Sequence, residues 1–168
     1  MNDRAERLAT HLERVTDELV TAIEARPEGH WRSISPVEEW TVGTTVHHIA
    51  GVTELVMGLV QALVANQPLP PLTWDVVDAG NAQHAAEHPS PNRLETLTHL
   101  RRATDDAARV IRQLTNEQLD RASPWGLDDG EPISAEQLIE RNIIAHTRQH
   151  LASIMVADDS VASVAADD

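Results

Sequence analysis

Helical periodicity recurs in four long segments of this 168-residue chain, and it constrains the fold more than any other feature. In the first segment, from about Asp3 to Ala25, apolar residues recur at three- and four-residue intervals, which places them on one face of a helix. The others run from Thr41 to about Asn66, from Ser90-Pro91 to Leu114, and from Ser134 to about Val156. Four amphipathic helices bury their apolar faces most simply against one another. The sequence therefore predicts an all-α four-helix bundle.

A long connection separates the second and third of these helices. At about 25 residues it is too long for a tight hairpin, so a crossover or an extra short helix is expected. Within it, Trp74–Val77 is consistent with extended chain and Ala79–His88 with a short helix. A loop is expected over residues 120–132. Residues 1–156 are predicted to form a single domain, and the acidic residues 157–168 a flexible tail.

The charge of the chain limits its partners. The formal net charge is −14 at pH 7, and such a surface repels both phosphate backbones and anionic lipid. No apolar run approaches the roughly 18–20 residues that span a bilayer. The polar N-terminal segment is unlike a secretory signal, so a cytoplasmic location is expected. We therefore expect a small-molecule substrate or a thiol as partner, and neither nucleic acid nor membrane.

The residue types that are missing limit the chemistry. The chain has no cysteine, lysine or tyrosine, which excludes a thiolate ligand or nucleophile, a Schiff base and a phenolic acid. Reactive groups must come from histidine, the carboxylates, arginine and the hydroxyls, or from a bound molecule. The nine histidines are the richest of these resources.

A pair of histidines on the fourth helix predicts a metal site. His146 and His150 are four residues apart, so both imidazoles can reach one ion. The helical phase places them on or beside the apolar stripe, where two adjacent imidazoles are costly unless each finds a partner. On the second helix, His48 lies one turn before Val52 and Leu55 and is the better third ligand. For His47, an accessory role at the site, a pairing with Glu54 and simple exposure all remain open.

Other polar and aromatic residues are weaker candidates. Asn142 lies one turn before His146 and could bond a ligand, or equally pair with a neighbouring helix. Asp75, Asp78 and Asn81 could accept hydrogen bonds from ligand imidazoles, although such residues are more often turn formers. His84, His88 and His99 are predicted to be surface histidines. The four tryptophans are expected to plug the ends of the bundle, with Trp74 a possible substrate contact.

Two segments carry a family resemblance. Trp40–Ala50, WTVGTTVHHIA, resembles the second-helix signature of the DinB/YfiT-like metal-binding superfamily, in which a metal histidine matches His48. Glu140–Ile154 resembles the last-helix signature of that superfamily, which carries two further ligands as HxxxH. The intervening Val77–Asn81 is similar to the mycothiol-dependent maleylpyruvate isomerase branch. That branch has a glutamate where this chain has His146. The resemblance implies a DinB-like bundle over most of the chain, with metal ligands His48, His146 and His150.

The expected function follows from three neutral imidazoles around one ion. Zinc suits this ligand set best, and nickel, iron, manganese and copper are compatible with it. The ion could activate water, and the resemblance implies relatives that transfer an external thiol of the bacillithiol or mycothiol type. We therefore expect a metal-dependent thiol transferase or hydrolase, with a homodimer as the form common among such relatives. The alternative is a non-catalytic, stress-associated bundle in which the ion is structural.

Overall fold

The computed structural model describes residues 2–157, which are mostly helical. The helices are α1 (Asp3–Glu24), α2 (Val42–Val64), α3 (Trp74–Glu87), α4 (Arg93–Arg112), α5 (Asn116–Leu119), α6 (Ala135–Ile139) and α7 (His146–Met155). A π-helical segment, Glu140–Ala145, joins α6 to α7, and we call the continuous run 135–155 the last helix. Short 3-10 helices span Glu28–Arg32 and Gly126–Asp128.

Four of these elements form the bundle that the sequence predicts. Helix α4 packs against both α1 and α2, and the last helix also contacts α1 and α2. Each contributes side chains that are almost fully buried, including Leu12 and Leu19 from α1, Ile49 from α2, Leu100 and Ile111 from α4, and Ile139, Ile143 and Ile154 from the last helix. The prediction of an all-α four-helix bundle is confirmed.

Capping side chains set the helix starts, and one start differs from the prediction. The Thr41 hydroxyl accepts from the Thr44 amide at the start of α2, and Ser134 forms a capping box at the start of α6. The third long helix begins at Arg93 and not at Pro91, because the side chain of Asn92 is its cap. The Pro91 carbonyl instead accepts from the indole nitrogen of Trp31 at 2.8 Å.

The connection between α2 and α4 contains the extra helix that its length suggested. Helix α3 already begins at Trp74, so the prediction of extended chain over Trp74–Val77 is wrong. The Thr73 hydroxyl accepts from the Val76 amide and starts the helix there. The loop predicted over residues 120–132 is also more ordered than expected. It contains strand β1 (Ala122–Pro124), which pairs antiparallel with β2 (Pro132–Ser134).

Helix α2 departs from the sequence analysis in its apolar surface. Leu55, placed on the apolar face by its spacing, is 63% exposed. By length and composition alone α2 could also cross a membrane, contrary to the prediction, but half of the apolar window is buried inside the bundle. The core helix of a bundle meets the same criterion, so this is weak evidence for a membrane.

In the predicted tail Ala157 is buried, and residues 158–168 lie outside the described part of the chain.

Candidate metal centre

The N-terminal half of α2 presents His48 to the bundle interior. Residues 42–50 are buried apart from His47, which is half-buried, so the His48 side chain leaves water almost completely. Burial, followed by the effects of the neighbouring imidazoles of His146 and His150, lowers the pKa of His48 to about 3. The ring is therefore neutral at pH 7, and a neutral ring has a lone pair to offer a metal ion.

The last helix brings two more ring nitrogens to the same point. The Nε2 atom of His146 lies 3.3 Å from Nε2 of His48 and 3.0 Å from Nε2 of His150. Zinc–nitrogen bonds of about 2.0–2.1 Å place two ligand nitrogens about 3.3–3.4 Å apart at the tetrahedral angle and about 2.8–3.0 Å apart at a right angle. The donor set and its spacing therefore fit one divalent transition metal ion. Burial, followed by the effect of His150, lowers the pKa of His146 to about 3.

Hydrogen bonds alone do not satisfy these three nitrogens. The Nδ1 atom of His150 is 2.8 Å from Oε1 of Glu38 and donates to it, so the neutral ring carries its lone pair on Nε2. His146 Nε2 has a single proton or a single lone pair, yet it faces both His48 and His150. One of the two contacts is therefore unsatisfied, whereas a cation between the rings would accept all three lone pairs.

Glu38 is a functional candidate that the sequence analysis missed. It lies in the connection between α1 and α2 and accepts from His150, Ser35 and Ser153. Burial acts to raise the pKa of Glu38, but the hydrogen bonds from Ser153, Ser35 and His150 outweigh it and hold the pKa below its usual value. The carboxylate stays ionised and orients His150, which is the arrangement that commonly fixes a metal-ligating imidazole.

The residues that the sequence analysis proposed as hydrogen-bond acceptors for ligand imidazoles lie on α3. Asp75 and Asp78 are exposed on α3 and Asn81 is half-buried, and within residues 2–157 no hydrogen bond joins any of the three to an imidazole. Their role as hydrogen-bond acceptors for ligand histidines therefore stays a prediction. Asn142 lies in the π-helical segment directly before His146. Its Oδ1 is buried without a hydrogen-bond partner, so it does not form the alternative pairing with a neighbouring helix.

The histidines predicted to lie on the surface form a second group. His84, His88 and His99 are half-buried and pack around His47, with ring centroids 5.1, 4.0 and 5.9 Å from the His47 ring. Burial, followed by the effects of His88, His84 and His99, lowers the pKa of His47 to about 4. Glu54 pairs with His99 at 2.9 Å and not with His47.

The tryptophans divide between core and site. Trp31 and Trp125 are buried, as expected of residues that close a bundle, and Trp74 is 60% exposed. The ring of Trp40 stands edge-on to His48 with centroids 5.3 Å apart, so it borders the candidate metal site. Trp40, and not Trp74, therefore has a ring contact with the triad, by which we mean His48, His146 and His150.

Comparison with known proteins identifies the family and the fold. The family model of the DinB superfamily matches residues 11–154. Among solved structures, the chain is similar to YfiT from Bacillus subtilis, a probable metal-dependent hydrolase with an unusual four-helix bundle topology, with a TM-score of 0.73 and 18% identity over 94% of this chain and 87% of that one. No curated protein matches, and nothing found supports the isomerase branch in particular. From the match over residues 11–154, the chain belongs to the DinB superfamily.

Proposed function

We propose that this protein is a divalent-metal-dependent hydrolase of small molecules, and that His48, His146 and His150 hold its ion. The convergence of three Nε2 atoms, 3.0–3.3 Å apart along the two contacts of His146, carries this proposal. When bound, such an ion supplies Lewis-acid chemistry: it polarises a substrate carbonyl and favours the ionisation of water or of a thiol. Three protein ligands leave coordination positions open to substrate, unlike a closed structural site with four.

The residues around the triad orient its histidines for that role. Glu38 accepts a hydrogen bond from Nδ1–H of His150 and fixes the tautomer and orientation of the ring. Ser35 and Ser153 hold the carboxylate of Glu38 in place from the connection and from α7. The ring of Trp40 packs beside His48 in a T-shaped arrangement, with the ring centroids 5.3 Å apart. We propose that the unpartnered Oδ1 of Asn142 is available to a substrate donor.

Transfer of an external thiol is the second candidate reaction. The chain contains no cysteine, so any sulfur nucleophile must arrive as a separate small molecule. Three neutral imidazoles leave the ion with its full positive charge, which would stabilise a bound thiolate. We prefer hydrolysis because the structure resembles YfiT, which is described as a probable metal-dependent hydrolase.

The test uses untagged, full-length protein loaded with zinc, nickel, manganese, iron or copper in turn. Small esters and amides are assayed with water alone and then with electrophiles and a low-molecular-weight thiol. We expect turnover that is lost on chelation and in His146→Ala. Thiol-dependent turnover without hydrolysis would favour the second candidate. Stabilisation by metal with no turnover in any assay would favour a structural ion in a stress-associated bundle, and no metal binding would refute all three.

The remaining expectations belong to the same proposal. We propose that residues 1–156 form one domain that acts in the cytoplasm on small molecules, as a homodimer. The charge of −14 argues against nucleic acid and anionic membranes as partners. Light scattering on the eluting protein gives the oligomeric state directly.

A further inference from the structure

We propose that the chain binds a second divalent transition metal ion on His47, His84 and His88. One ring nitrogen from each of these residues lies within 4.8 Å of the others. The residues come from two elements, since His47 is on α2 while His84 and His88 are at the C-terminal end of α3. None of them belongs to the triad in the proposed hydrolase, so this site stands independently of that function.

Two unpartnered ring nitrogens provide a second observation in favour of an ion. Nδ1 of His47 and Nε2 of His84 are both buried and have no hydrogen-bond partner. A buried polar atom without a hydrogen-bond partner destabilises the fold, and two such atoms on neighbouring rings require an explanation. An ion that accepts both lone pairs removes this cost.

The hydrogen bond made by the His84 ring is typical of a metal-ligating histidine. Its ring is hydrogen-bonded to the backbone of Thr44, and since Nε2 is unpartnered, this bond is made by Nδ1. A proton on Nδ1 leaves the lone pair of the neutral ring on Nε2. Ligating imidazoles commonly donate a hydrogen bond from their other ring N–H to a backbone carbonyl in this way. The Thr44 hydroxyl also donates to the His88 carbonyl at 2.7 Å, which holds the end of α3 against α2.

The site would fasten α3 beside the triad. Helix α3 has no residue that is fully buried, so apolar packing attaches it only weakly to the bundle. The ring of His84 nevertheless lies 5.4 Å from that of His48 and 6.2 Å from that of Trp40. An ion shared by His47, His84 and His88 links α3 to α2 at this point.

Imidazole ligands also restrict the kind of ion. An all-nitrogen set selects zinc, copper, nickel or cobalt over magnesium and calcium, which prefer oxygen. We expect the second ion to bind more weakly than the first. None of its ligands is as buried as His48, and within residues 2–157 no hydrogen bond joins them to a carboxylate as Glu38 is joined to His150.

The experiment counts ions on untagged, metal-free, full-length protein titrated with Zn²⁺ against a competing chelator, with native mass spectrometry as the readout. We expect two ions on the wild-type chain. His84→Gln and His88→Gln should each retain one ion and weaken the second step by more than the roughly 10–100-fold that follows loss of an outer hydrogen-bond partner. His146→Ala should lose the other ion, so failure of the triad and failure of this site are distinguishable.

A control and a structural readout complete the test. His11→Gln removes a histidine that also has an unpartnered Nε2 but belongs to neither group, and it should bind two ions. Hydrogen exchange of the α3 amides should slow on addition of the second equivalent in the wild type and not in His84→Gln. A single ion on the wild-type chain, or a second ion that persists in both His84→Gln and His88→Gln, would overturn the proposal.

Discussion

Replacement of Glu38 by glutamine tests how the first metal site is oriented. The carboxylate accepts from His150 Nδ1 at 2.8 Å, and its side chain is only 10% exposed, so solvent screens the contact little. Glutamine keeps the size of the side chain and one oxygen acceptor, but it removes the negative charge. The Ser35 and Ser153 hydroxyls can rotate to accept from the new amide group. We therefore expect Glu38→Gln to fold.

The expected magnitude follows from the bond that is weakened. A hydrogen bond to a charged group contributes about 1.5–3 kcal/mol, and a neutral one about 1 kcal/mol. The exchange therefore weakens the hydrogen bond between residue 38 and His150 by about 1–2 kcal/mol. This bond orients the ring and increases the basicity of its other nitrogen. Since 1.4 kcal/mol corresponds to about tenfold in binding, the metal should bind about 5–30-fold more weakly. This overlaps the lower part of the roughly 10–100-fold range seen when the hydrogen-bond partner of a metal ligand is lost.

The measurement is the Zn²⁺ affinity at pH 7.5 by chelator competition, with Glu39→Gln as the matched control. Glu39 is the next residue and carries the same charge, but it is exposed and makes no contact with His150. The control should stay within about twofold of the wild type, since an isolated surface charge contributes little. If Glu38→Gln folds and binds zinc as tightly as Glu39→Gln, Glu38 does not orient the site.

Three other outcomes follow from the structure. Chelator-treated protein should lose stability as the pH falls from about 6.5 towards 3, because unfolding lets His48 and His146 take up protons that their lowered pKa values exclude in the fold. The free energy of unfolding should fall by at most about 1.4 kcal/mol per pH unit for each group. Urea titrations at several pH values should show a smaller dependence on pH in His48→Gln. Gly43→Ala should destabilise the fold by about 1–3 kcal/mol, because its Cβ would lie 2.6 Å from Nε1 of Trp31. Gly51→Ala on the same helix meets nothing within 4 Å and should stabilise it by up to about 1 kcal/mol in thermal unfolding.

The bundle and the positions of the triad could be predicted because both depend on local periodicity. Residues four apart on a helix share a face whatever the tertiary structure, so His146 and His150 had to lie together. The choice of His48 over His47 rested on its phase with Val52 and Leu55. Leu55 is in fact exposed, yet His48 is buried, because α2 is enclosed on most sides near its start. The placement was correct although one of its supports was not.

The contacts made by connecting segments could not be predicted in the same way. Glu38 reaches His150 across 112 positions in sequence, and nothing in its own segment marks it as a partner of the last helix. His84 and His88 lie in a polar helix that buries no residue completely, so composition indicated surface positions. Hydrogen bonds between Thr44 and the end of α3, which turn these rings towards α2, are not encoded in any local pattern.

The adjacent pair His47-His48 explains why the two groups of histidines lie side by side yet remain separate. Successive residues on a helix point about 100° apart, so the two rings diverge and do not readily serve one ion. His48 points to the last helix, where it meets His146 at 3.3 Å, and His47 points to α3, where it stacks on His88 at 4.0 Å. Replacing either histidine removes a ligand from only one of the two groups. His47→Gln should therefore weaken the attachment of α3 to α2 and leave the three triad ligands in place. His48→Gln should remove one triad ligand and leave the attachment of α3 unchanged.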